Sequence, residues 1–193
     1  MHALLRLSGL IDAITERVGR AASWLILLAA LISAGNATAR YAFNASSNAW
    51  LEIQWYLFAA VFLLCAGYAL KHNQHVRVDV LSSRLSRRAQ TWIEIFGTLF
   101  FLLPMASLIL WLSWPVFVDS WRSGEVSSNA NGLPLWPARM LVPAGFALLV
   151  LQGLSELIKR IAFLLGRIPD PAEPPATPER ALAGAILKSR GDE

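Results

Sequence analysis

His72 and His75 are the first residues whose spacing could do chemistry, because three positions along a helix bring two imidazoles to one face. A metal asks for three or four ligands, and neither a cysteine nor a well-placed carboxylate lies near enough in sequence to complete the set. Ligation of a haem by two histidines needs imidazoles inside membrane spans, and the remaining histidine, His2, is at the N-terminus. Cys65 is the lone cysteine and sits in an apolar run, so it forms no disulfide within the chain and reads as a small packing residue. No catalytic group, metal or cofactor is expected.

Glu52 is the carboxylate of most interest, since an ionisable side chain inside a span is costly and usually has a functional or pairing reason. It follows Trp50 by two residues, which places it only about 3 Å along a helix axis from that interfacial indole. A structural role is expected, as the partner of Arg40 or of another protein. Glu94 and Glu156 also fall near helix ends, and Glu156 is spaced to reach Lys159 or Arg160. No ionisable residue is left at mid-span, and no pair of Gly/Pro-broken helices marks two inverted halves around a substrate site. Pro104, Pro115 and Pro143 are read as kinks or packing notches.

Those side chains must be positioned by elements that live in lipid. The chain is 55% hydrophobic and 16% charged, with mean hydropathy +0.48, and several apolar runs continue for about the 20 residues that cross hydrocarbon. Four segments stand out: Trp24 to Phe43, Trp50 to Leu70, Trp92 to Val118 and Trp136 to Ile158. Runs such as Ala59 to Ala66 do not alternate, which excludes a barrel. The net charge of +4 does not mark a nucleic-acid binder, because the 17 Lys and Arg gather at span ends rather than along one soluble stripe.

Sorting those cations by loop predicts the topology. Arg6, Arg17 and Arg20 precede the first span; Lys71, Arg77, Arg84, Arg87 and Arg88 lie between the second and third; Lys159, Arg160 and Arg167 follow the fourth. The opposite side receives Arg40, Arg122 and Arg139, so both termini are expected in the cytoplasm. Asp12 and Glu16 in the leader argue against a cleaved signal peptide ending near Ala39.

Between the second and third spans, Val78, Leu81, Leu85, Ala89 and Trp92 fall on one helical stripe flanked by Arg77, Arg84 and Arg88, the pattern of a helix lying at the membrane surface, while the alternation of Val76, Val78 and Val80 also permits a short strand at its start. The expected fold is therefore all-α: four transmembrane helices with an interfacial amphipathic helix between the second and third. Domain boundaries are then a cytoplasmic segment 1–23, a membrane domain 24–166 and a tail 167–193. Five prolines between Pro169 and Pro178 keep that tail from forming a packed core. Asp119 to Pro137, with its aromatics and turn-formers, is expected to be an outward loop.

With these residues in place, the sequence resembles the small permease subunit of TRAP (tripartite ATP-independent periplasmic) transporters, over roughly residues 20 to 166. The resemblance rests on Trp50 and Glu52, Ala66-Gly67-Tyr68-Ala69, and the run His75-Val76-Arg77-Val78-Asp79-Val80-Leu81. Ser120-Trp121-Arg122-Ser123-Gly124-Glu125 and Leu135-Trp136-Pro137 add to it. Many relatives carry a second acidic residue just after the first, where this chain has Ile53 and Gln54. The resemblance implies a periplasmic solute-binding protein, a large membrane subunit that imports an organic anion (a C4-dicarboxylate, 2-oxo acid or similar carboxylate) on a sodium gradient, and a small subunit acting as scaffold. Arg40, Trp50, Glu52, His75, Arg77, Asp79, Trp121 and Trp136 are then the residues expected at subunit interfaces or in structural roles. Membrane lipids are the other expected partner. The competing reading from residues alone is a stand-alone four-helix assembly factor or small exporter.

Overall fold

The computed structural model describes residues 2–44, 47–72 and 85–169. Among them four helices are long and apolar enough to cross a membrane: α1 (His2–Phe43), α2 (Asn48–Lys71), α3 (Arg87–Ser123) and α4 (Trp136–Leu164). The chain is all-α, as its apolar runs predict. All four helices exceed the span of about 20 residues that hydrocarbon demands, and the surplus carries charged residues beyond the apolar stretches. The expected interfacial helix falls mostly on 73–84, outside the described residues. Just beyond that segment the Ser86 hydroxyl accepts from the Ala89 amide and caps the start of α3.

One π turn, Thr98–Leu102, interrupts α3 immediately before Pro104. Proline brings no N–H and crowds the carbonyl four residues earlier, so a locally wider turn lets the helix continue past it. At the far end Gly124 adopts φ 62°, a left-handed conformation that stops α3. The helix thus runs five residues past Val118, and the outward loop is shorter than the sequence suggests.

α4 is the hub. It packs against α1, α2 and α3, and 39% of its apolar window is buried against 11% for α3, which packs chiefly on α4. Lipid gives apolar side chains no reason to cluster, so span packing depends on close backbone approach at small residues. Gly145 faces Leu63, where an added Cβ would lie 2.8 Å from the Leu63 Cβ, and Gly153 similarly faces Leu102. Gly19 receives the Tyr68 ring, and Gly67 sits against the Leu148 backbone and Thr15. These notches draw α1, α2 and α4 into one group, with α3 laid along the outside of α4.

Candidate functional site

The polar groups of the bundle collect at its two ends. At one end α4 presents Gln152, Ser155, Glu156, Lys159 and Arg160, a stripe at helical spacing that faces inward. Ser155 donates to Asp12 of α1 at 2.7 Å, and Gln152 donates to Asp12 at 2.9 Å and to Glu156 at 3.2 Å. Lys159 spans the same two carboxylates, 3.1 Å from Asp12 and 2.5 Å from Glu156. Arg160, which also lies 3.8 Å from Glu156, reaches Glu94 of α3. One turn along α1, Glu16 accepts from Lys71 at 2.7 Å and from Arg20 at 3.0 Å, and pairs with His72 at 2.9 Å.

This girdle ties all four helices together at one end of the bundle. Glu156 and Arg160 are nearly fully buried. A buried ion needs neighbours that complete its hydrogen bonds, and interleaved acids and bases supply them. The sequence points to Glu156 reaching Lys159 or Arg160, and it reaches both. Asp12, Glu16 and Lys71 look like ordinary flanking charges in the sequence, because their partners across the bundle stand 55 or more positions away and no local spacing announces them. Among the described residues no three His, Cys, Asp or Glu side chains converge in a way that could hold a metal ion.

At the opposite end Glu52 binds the loop between α3 and α4. Its carboxylate accepts from the Ser127 hydroxyl, from Asn129 Nδ2 at 2.6 Å and from the Leu133 amide at 2.7 Å. One turn further along α2, the Tyr56 hydroxyl donates to the Pro134 carbonyl at 3.1 Å. The loop itself folds back as a small hairpin: the Ser127 amide donates to the Leu133 carbonyl, Val126 bridges Pro134, and Asn131 makes the turn at φ 58°. Glu125 pairs with Arg139 at the start of α4, and the Trp121 and Trp136 rings meet edge to face with centroids 4.5 Å apart.

Of the residues expected to matter, Glu52, Trp121 and Trp136 converge on this loop. The expected pairing of Glu52 with Arg40 is not formed: three donors from the loop occupy the carboxylate, and Arg40 stands exposed on the last turn of α1 with no partner among the described residues. Trp50 is half-exposed on the first turn of α2. His75, Arg77 and Asp79 lie outside the described residues. Nothing in the sequence singles out Ser127, Asn129, Leu133 or Tyr56, which are ordinary residues until the loop folds onto α2.

Residues 29–163 match the family model of the DctQ component of tripartite ATP-independent periplasmic transporters. The chain belongs to the DctQ family. That family is one of transporter subunits rather than enzymes, and the match covers all of α2, α3 and their connections together with the outer part of α1 and nearly all of α4. The chain is also similar to the ectoine TRAP transporter small permease protein TeaB of Halomonas elongata, 25% identical over 159 residues that make up 80% of this chain and 81% of that protein. No solved structure matches it. This DctQ protein is thus a small permease subunit of a TRAP transporter, and its loop clamp lies wholly inside the matched region.

Proposed function

We propose that this DctQ subunit is a rigid scaffold for the large TRAP permease subunit, enabling sodium-driven uptake of an organic anion delivered by a periplasmic solute-binding protein. The supporting observation is where its charges go: the girdle binds the four helices to one another, and the clamp binds Glu52 to a loop of the same chain. A carboxylate whose acceptors are filled by protein donors is not open to a travelling ion. Among the described residues no cluster of three His, Cys, Asp or Glu side chains is present to hold an ion, which agrees with translocation by the other membrane subunit.

Both termini and the segment from Lys71 to Arg88 are assigned to the cytoplasm of the inner membrane, from the bias of lysine and arginine. The Glu52-clamped hairpin then faces the periplasm, where a solute-binding protein docks. A direct test is to remove this chain from cells that retain the large subunit and the binding protein. The expected result is loss of uptake together with a fall in the amount of large subunit in the membrane. Undiminished uptake would contradict the scaffold role.

A further inference from the structure

α1 and α2 touch closely where Tyr68 covers Gly19, yet toward their outer ends they leave a groove of about 510 Å³. Leu31, Ile32, Gly35, Asn36 and Ala39 form one wall and Ser47 and Trp50 stand on the other. Three features set this groove apart from a gap that lipid tails fill. A Cβ added at Gly35 would meet nothing within 4 Å, as at Gly9 and Gly97, whereas Gly19, Gly67, Gly145 and Gly153 are each occupied by a neighbour from this chain. The Asn36 carboxamide lines the groove and has no hydrogen-bond partner among the described residues, although it lies about 10 Å along the helix inside Phe43. One turn outward, Arg40 is a guanidinium with no acidic partner among the described residues.

An amide without a partner in hydrocarbon is costly, and acyl chains carry neither donors nor acceptors to relieve it. The open notch at Gly35 is the kind of surface that lets a second helix approach closely. A second copy of this chain is a poor occupant. Copies inserted with the same orientation and packed symmetrically on this face would bring Arg40 to the same depth as its twin, setting like charges together.

We propose that this groove seats a transmembrane helix of the large permease subunit. The seated helix presents a small residue to Gly35, a carboxamide or hydroxyl to Asn36, and a carboxylate to Arg40. The proposal rests on the scaffold reading and adds to it the face that is used. Because a Cβ at Gly35 enters open space and Asn36 makes no hydrogen bond among the described residues, changing them is expected to leave the fold intact while altering the seat.

The test uses the full chain, affinity-tagged and co-expressed with the large subunit, and scores the large subunit recovered with it. Gly35→Leu and Asn36→Leu are each expected to lower recovery about tenfold, with the variant chain's own abundance and melting temperature unchanged. Arg40→Glu is expected to lower it as well. A photoreactive benzoylphenylalanine in place of Ala39 is expected to give an adduct with the mass of the two subunits combined. Full recovery with Gly35→Leu and Asn36→Leu, or an adduct at position 39 that contains only lipid or a second copy of this chain, would overturn the proposal. Failure of the unaltered chain to recover any large subunit would instead overturn the scaffold reading on which it rests.

Discussion

Glu52→Gln keeps the size of the side chain but puts an NH2 where one oxygen accepts from the loop. Asn129 donates to Oε1 and the Leu133 amide to Oε2, so whichever way the new amide turns, one of these two N–H donors loses its carboxylate acceptor. Exchange of the Leu133 amide is expected to rise about tenfold, because the hairpin opens locally while the spans stay packed; unchanged exchange would show that the clamp is not holding the loop. Arg160→Met at the other end removes the buried cation that joins Glu94 of α3 to Glu156 of α4, leaving Lys159 as the cation beside Glu156. That change is expected to destabilise the bundle by about 3 kcal/mol, read as a lowered midpoint of thermal unfolding in detergent. At this scale the sequence is informative about depth and poor about partners. Trp50 reveals that Glu52 lies near an interface, but the donors that occupy it arrive 75 to 81 positions later from a loop with no distinctive pattern. The same holds for Asp12, whose partners come from the far end of the chain.

The helices themselves are easier to read, because hydrocarbon imposes a length and tryptophans mark where it ends. The start of α4 at Trp136 and the end of α1 at Phe43 fall where the composition changes. Hydropathy misses the ends where a helix continues through charged residues into water, as α3 does at Arg87 and again beyond Val118. Ser86 and Gly124 are the local signals for those limits, a side-chain cap and a left-handed stop, and neither changes the hydropathy. Packing between helices is not legible, since an interfacial glycine and a lipid-facing one look alike in sequence. The structure separates them and yields a prediction. Gly145→Leu drives a side chain into Leu63 and is expected to cost about 1–3 kcal/mol, visible as a lower melting temperature and a poorer yield of folded chain. Gly35→Leu is expected to change neither, as its added atoms enter open space. Equal damage from both would mean that the α2–α4 crossing does not depend on close approach at Gly145.

As a whole, the described bundle is fastened at both ends: the four-helix girdle at one, the α2-to-loop clamp at the other. That arrangement agrees with the proposed scaffold role. Its orientation can be checked with single cysteines in a Cys65→Ser background. A cysteine at Asn131 is expected to react with an impermeant maleimide in intact cells and one at Ser86 is not; the reverse pattern would invert the topology. The central claim concerns the division of labour within the transporter. It is tested most directly in proteoliposomes supplied with the solute-binding protein, its organic anion and an inward sodium gradient. The expected result is uptake by the large and small subunits together, none by either subunit alone, and an unaltered number of sodium ions per solute when the small chain carries Glu52→Gln. Sodium-driven uptake by the small chain alone, or a changed sodium stoichiometry with Glu52→Gln, would contradict a scaffold and return that carboxylate to the coupling mechanism.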